Sequence, residues 1–289
     1  MSRIEVPRSW ENLRLADVSG VVLVVGATDT GKTTLARYLC RRLREHHDRV
    51  AFLDGDMGQA TLGPPTTMTL ALSGSNPASF PPDGPRFRTF VGDISPVGHM
   101  LPTVVGAHRL VKRGLETGAS AIVVDTTGLV APAQGGGALK RALVDLLRPQ
   151  VVIGVQRGTE LGHLLDPLRR SQRTRVIDRP VAEAVQRRSA AVHRAYRAEQ
   201  YRRAFEQARL LEVDWGGLAV IPCPSFTQHR LVAFEDCDGF VLGLGIVTDC
   251  VRNRQVVELH TSLTSLGGVD TLHIGDVAVD PDTFGDERV

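Results

Sequence analysis

Three short polar segments carry the residue types that handle phosphate, and each follows an apolar run. The first, Gly26-Ala27-Thr28-Asp29-Thr30-Gly31-Lys32-Thr33-Thr34, completes G-x-x-x-x-G-K-[ST] directly after Val21-Val22-Leu23-Val24-Val25. Glycines permit positive φ and close backbone approach, so the amides of this loop can turn towards an anion. Lys32 would reach the β- and γ-phosphates of a nucleoside triphosphate, and the Thr33 hydroxyl would hold Mg2+. The second segment is Asp54-Gly55-Asp56-Met57-Gly58-Gln59. Alternate residues of an extended chain point the same way, so both carboxylates can face a metal and a γ-phosphate. Asp56 suits a base that takes the proton of an attacking oxygen, Asp54 a support for the metal, and Gln59 a group that orients a hydroxyl or a phosphate. The third is Asp125-Thr126-Thr127-Gly128-Leu129, after Ala121-Ile122-Val123-Val124. An Asp so placed can bind Mg2+ through water while the Gly amide senses a γ-phosphate.

These segments need rigid supports, and the pattern around them supplies a plan. Leu35, Tyr38, Leu39, Arg42 and Leu43 fall at helical spacing, so the first loop opens a helix whose N-terminal dipole favours phosphate. Strand-like runs recur at Val50 to Asp54, Phe87 to Val91, Ala121 to Asp125, Val151 to Val155 and Thr174 to Ile177, with amphipathic stretches between several of them. Such alternation predicts an α/β fold of the P-loop NTPase type, a mostly parallel sheet flanked by helices, with ligands at the carboxyl ends of the strands. Ser73 to Arg86, rich in Gly and Pro, reads as a surface excursion. From Val181 to about Leu211, Ala, Glu, Gln and Arg dominate and predict one long helix or two in sequence. Short alternating runs beyond it predict a small β-rich C-terminal domain. The expected division is an N-terminal extension over 1–20, a P-loop domain with an arginine-rich helix over 21–210, and the β-rich domain over 211–289.

The net charge of +2 hides an uneven distribution: Arg169 to Arg209 holds twelve arginines and four acids, and the chain beyond holds thirteen acids and four arginines. A polyanion would meet the first stretch and avoid the second. On a continuous helix Arg187, Arg194, Arg197 and Tyr201 would share one face, with Arg188 adjacent, suited to clamping phosphate; a merely solvated arginine face competes with that reading. Cys40, Cys223, Cys237 and Cys250 have no C-x-x-C spacing, so neither zinc nor a disulfide framework is indicated and a reducing cytoplasm is the expected setting. The first residues lack the apolar core of a signal peptide, and no apolar run reaches the ~18 residues of a membrane span. His99 and His108 attach to no chemistry.

Taken together, GATDTGKTT, DGDMGQATLGPPTT and DTTGLV, in that order, resemble the polynucleotide 5′-hydroxyl kinase family. That family includes the kinase of the pre-mRNA cleavage complex, the kinase of ribosomal RNA processing and shorter archaeal members. The resemblance runs from about Val21 to Phe205 and is most specific at the D-x-D-x-G-Q step. It implies transfer of a γ-phosphate from ATP, with GTP as the alternative, in the presence of Mg2+. The acceptor would be the 5′-hydroxyl of single-stranded or duplex RNA or DNA. The family's catalytic lysine and hydroxyl fall on Lys32 and Thr33, its aspartate pair and glutamine on Asp54, Asp56 and Gln59, and its T-x-G-W clasp on Thr126, Gly128 and Leu129. Its lid arginines fall on Arg187, Arg188 and Arg194. Leu129 stands where the clasp has tryptophan and cannot stack as an indole would.

Other classes fit parts of the pattern. Asp125-x-x-Gly128 suits a nucleotide-switch ATPase or GTPase, although no N-K-x-D segment for guanine is present. A non-catalytic ATP-binding subunit of an RNA-processing assembly would keep the loop without turnover. T-D-T-G-K-T also resembles the loops of dethiobiotin synthetases, which act on a small molecule; the glutamine-bearing D-x-D step and the arginines point instead to a larger anionic acceptor.

Overall fold

The computed structural model describes residues 6–15, 17–74, 76 and 79–289. Parts of the expected N-terminal extension (1–5 and 16) and of the Gly/Pro-rich excursion (75, 77 and 78) lie outside the described residues. The chain forms two compact units that interleave in sequence: the first takes 1–56, 69–86 and 103–188, the second 57–68, 87–102 and 189–289. The expected division has cuts after residues 20 and 210; the two compact units exchange chain four times before Arg188 and once more after it.

The first unit is built on strands β1 (Gly20–Gly26), β2 (Val50–Gly55), β3 (Thr67–Leu72), β5 (Ala121–Thr126), β6 (Val151–Gln156) and β7 (Arg175–Pro180), numbered in chain order with β4 (Arg86–Phe90) between β3 and β5. The sheet order is β4-β3-β2-β5-β1-β6-β7. The five strands β2, β5, β1, β6 and β7 run parallel. Their central members are continuous Val/Ile/Leu runs with every residue of β2 and β5 buried, as helices on both faces of a parallel sheet require. β3 pairs antiparallel with β2 and was not apparent in the sequence. Helix α2 (Lys32–Leu43) buries Leu35, Tyr38, Leu39 and Leu43, one stripe at helical spacing. The other helices are the short α1 (Arg8–Glu11), α3 (Met100–Glu116), α4 (Gly136–Leu147), α5 (Gly162–Arg170) and α6 (Ala190–Ala204). Among the described residues no helix is long and apolar enough to cross a membrane.

The second unit is antiparallel and β-rich. Strands β8 (Arg209–Asp214), β10 (Arg230–Glu235), β11 (Val241–Val251), β12 (Val256–Thr261), β13 (Thr271–Val279) and β14 (Asp286–Arg288) lie in the order β14-β13-β10-β11-β12-β8, and β9 (Ala219–Ile221) pairs with β13. Alternation sorts β10 between two cores: Val232 and Phe234 pack with Trp215, Phe226 and Leu259 on one face, Leu231 and Ala233 with Tyr201, Phe205 and Val277 on the other. Helix α6 supplies the last of these covers. Its Tyr201 is fully buried, and its Arg197 makes a two-pronged ion pair with Asp286, at 2.7 Å from Nε and 3.0 Å from Nη2.

This corrects the helical reading of 181–211. Helix begins only at Ala190, where the Ser189 side chain accepts from the Val192 amide, and ends at Ala204 before β8. Arg187 and Arg188 therefore precede the helix and do not share a face with Arg194. Arg197 and Tyr201 are committed to the core of their own unit. Composition favours helix throughout, but a capping serine and tertiary contacts override propensity.

Removing one partner of a buried ion pair strands the other charge. Asp286→Ala is therefore expected to lower stability in urea by about 3–5 kcal/mol, whereas Arg194→Ala, exposed on the same helix, stays within about 0.5 kcal/mol of the parent.

Candidate functional site

The three polar segments sit at the carboxyl ends of adjacent parallel strands. The phosphate loop leaves β1, the aspartate pair leaves β2, and the Asp125 segment leaves β5. Gly31, at φ 82°, is the cap residue that turns the loop into α2. Such a left-handed turn is cheap for glycine alone. Lys32 is buried and its Nζ donates to the Ala27 carbonyl at 2.8 Å, folding the ammonium over the loop.

Register puts Asp54 directly beside Asp125 on neighbouring parallel strands, which lie about 4.8 Å apart. Both side chains are almost wholly buried, 2% and 1% exposed. Burial pushes the Asp125 carboxyl up to about 7; Lys32 pulls against that rise and Asp54 adds to it. One oxygen, Oδ2, accepts from the Thr33 hydroxyl at 2.6 Å, while the buried Oδ1 has no hydrogen-bond partner. A carboxylate crowded by another and left with an orphaned oxygen calls for a cation. Mg2+ is commonly held by one or two carboxylates together with substrate phosphates, so Thr33 and Asp125, with Asp54 behind them, fit that ion.

Asp56 is half-buried and is not turned away into the interior. Its charge is felt at both Asp125 and Lys140, which places it at the same strand ends. The Asp56 amide donates to Asp54 Oδ1 across a long 3.4 Å contact, so the first carboxylate steadies the turn that carries the second. Thr126 differs from a hydroxyl facing a substrate: it donates to the Val24 carbonyl at 2.8 Å and ties β5 to β1. Gly128 lies against the phosphate loop so closely that a Cβ there would stand 2.2 Å from Thr28 Oγ1 and 2.7 Å from the Thr28 amide nitrogen. Gln59 and Arg194 belong to the second unit, where Gln59 Nε2 donates to the Gly58 carbonyl at 2.6 Å and Arg194 is exposed on α6. Arg187 and Arg188 close the first unit in exposed, non-helical chain.

One residue of this site escaped the sequence reading. Lys140 of α4 is completely buried, and its Nζ donates to the Thr127 carbonyl at 2.7 Å and to the Thr127 hydroxyl at 3.2 Å. Burial pulls its ammonium down to about 7 and Lys32 adds to the fall, while Asp56 and Asp125 oppose it. Among GGALKRALVDLL it looks like any solvated helical lysine. The only available signal was its position on the apolar stripe, three before Leu143 and seven before Leu147.

Two substitutions test this construction. Gly128→Ala should weaken nucleotide binding by at least about tenfold in a titration with a fluorescent ATP analogue, because the added methyl meets phosphate-loop backbone that cannot swing aside. Lys140→Met leaves a buried carbonyl and hydroxyl without their donor, and should cost about 1–3 kcal/mol in urea unfolding.

Known proteins resemble this chain in sequence and fold. The chain is 30% identical over 215 residues to the polyribonucleotide 5′-hydroxyl-kinase of Methanocaldococcus jannaschii, covering 74% of this chain and 58% of that one. It is 32% identical over 200 residues to the protein of the same name from Pyrococcus furiosus, covering 69% of this chain and 54% of that one. It thus spans just over half the length of the curated relatives it matches. Clp1p, solved in a Clp1p–Pcf11p complex, has the same fold at a TM-score of 0.69 and 14% identity, over 93% of this chain and 77% of that one. A second Clp1p structure, solved for its extended interface with Pcf11p and for ATP loss in a point mutant, superposes equally well at a TM-score of 0.69. Residues 26–207, which take in the phosphate loop, both acid-bearing strand ends and α6, match the family described as mRNA cleavage and polyadenylation factor CLP1 P-loop, and the chain belongs to that family.

Proposed function

We propose that this protein is a polynucleotide 5′-hydroxyl kinase that transfers the γ-phosphate of ATP to the 5′-hydroxyl of RNA or DNA. The observation that carries the reading is the half-buried Asp56 carboxylate, held at the same strand ends as Lys32, Thr33 and the Asp54–Asp125 pair. Phosphoryl transfer needs positioning and charge compensation more than covalent chemistry. Lys32 and the amides of Gly26 to Thr34 grip the phosphate chain. Thr33, Asp125 and Asp54 hold the metal position. Mg2+ bound there would neutralise charge on the β- and γ-phosphates. Asp56 accepts the proton of the attacking 5′-oxygen, and Gly128 stands by the loop where a terminal phosphate is sensed. Gln59, Arg187, Arg188 and Arg194 act on the transferring phosphate and the polynucleotide end. Support for RNA as acceptor comes from the relatives named polyribonucleotide 5′-hydroxyl-kinase, and support for ATP from the solved relative studied for ATP loss.

A second reading has its own observation. Leu129 replaces the clasp tryptophan and the Thr126 hydroxyl is turned to Val24, which weakens the grip on a substrate terminus and favours a non-catalytic ATP-binding subunit of an RNA-processing assembly.

Matched RNA and DNA oligomers with 5′-hydroxyl ends, single-stranded and duplex, offered with γ-labelled ATP and GTP in turn, separate the two. Label at the 5′ end is expected, falling by about 10²–10⁴-fold in Asp56→Asn and by about 10²-fold or more in Lys32→Ala, with both variants folded. Nucleotide bound but never transferred to any end would leave the non-catalytic reading. Rising salt should weaken oligomer binding steeply if phosphates are gripped by arginine.

A further inference from the structure

Asp29 is an odd residue for the crown of an anion-binding loop. A carboxylate there repels phosphate unless its charge is engaged elsewhere. Its backbone is also left-handed, at φ 53°, a conformation that Asp and Asn tolerate better than other side chains but that glycine occupies without strain. The structure shows what the carboxylate does instead. Its Oδ2 accepts the backbone amide of Arg188 at 2.9 Å, across 159 residues of sequence, while the Asp29 carbonyl accepts from the Arg157 guanidinium. A second contact lies next to the first: Val185 Cγ2 is 3.0 Å from the point where a Cβ on Gly31 would stand. The stretch from Val185 to Arg188 therefore rests on the phosphate loop at two places. Among the described residues its backbone also makes a turn bond of its own, from the Val185 amide to the Ala182 carbonyl, and the chain leaves the first unit immediately after Arg188.

We propose that Asp29 is a positioning residue that latches the Arg187–Arg188 backbone to the phosphate loop, so that the loop gripping the nucleotide also carries the arginine pair. A shift of the loop on binding a triphosphate then moves the arginines with it, and their register to the γ-phosphate stays constant. The latch itself is a matter of geometry, whereas its effect on turnover rests on the kinase reading.

Two variants separate the acceptor from the backbone strain. Asp29→Gly keeps the left-handed turn and removes the acceptor; Asp29→Asn keeps both a side-chain oxygen and tolerance of that turn. Trypsin reads the latch directly, because cleavage after Arg187 or Arg188 requires this backbone to open. The latch predicts that cutting there, located by mass spectrometry and scaled to cutting at other arginines, speeds up about tenfold in D29G and returns to within about threefold of the parent rate in D29N. Phosphate transfer is measured alongside: kcat falls about tenfold in D29G while the Kd of a fluorescent ATP analogue changes less than about threefold, and D29N restores most of kcat. Equal cutting of parent and D29G overturns the latch. Faster cutting with kcat unchanged overturns its catalytic role, as does D29N losing as much as D29G. A parent protein that transfers no phosphate sinks the kinase reading alone, since the proteolysis still decides the latch.

Discussion

Two carboxylates share one buried end of a parallel sheet, and that electrostatic conflict organises everything around them. Asp54 and Asp125 stand side by side in register, each almost without solvent. Left alone, such a pair would favour protonation of one member. Instead the sequence surrounds it with compensation: Thr33 on one oxygen, Lys32 folded over the loop, and Lys140 buried behind Thr127. The compensation is incomplete, as the orphaned oxygen of Asp125 shows. An incomplete balance is what a cation site needs, because full satisfaction by protein groups would leave no gain on binding metal.

Ion pairing also organises the β-rich unit, where arginines meet acids distant in sequence. Arg197 forks onto Asp286, Arg288 pairs with the buried Asp93, and Arg230 pairs with Asp276, which also meets His99 at 3.0 Å. These pairs join residues more than 40 positions apart and tie the short inserted segment around 87–102 into the unit's own sheet. The run from Arg169 to Arg209 is nevertheless mostly exposed, and Arg197 is a member of it that is drawn into a nearly buried pair. Of the arginines on the face read from helical spacing, Arg194 is the one on α6 that remains exposed.

Those differences mark what a sequence can disclose. The phosphate loop and the strands β1, β2, β5 and β6 were legible because local composition determines them: an apolar run buried on both faces, then glycine and polar residues at its end. β3 was hidden because Thr67-Met68-Thr69-Leu70 mixes polar and apolar residues although all are buried. The interleaving of units was hidden because it depends on pairs such as His99 with Asp276, which no local pattern announces. Lys140 was hidden because amphipathic spacing does not separate a lysine that snorkels to water from one that is fully interior. The start of α6 was missed although its signal is local, the Ser189 side chain that accepts from the Val192 amide. The candidate site was therefore legible where one strand end makes it, and illegible where distant segments meet.

The site's charges also divide by how firmly they are held. The carboxylates sit on sheet ends, where desolvation makes any movement costly and fixes their geometry before a ligand arrives. The Arg187 and Arg188 side chains are exposed, so they stay hydrated and can swing towards an anion at little cost even where their backbone is held. On the proposed reading a polymer end would enter, react and leave, and it would do so past groups that yield more easily than past groups that cannot. Fixed carboxylates and adaptable arginine side chains follow from one rule: a buried charge is rigid because leaving its partners is expensive, and an exposed one is adaptable because water replaces any partner it gives up.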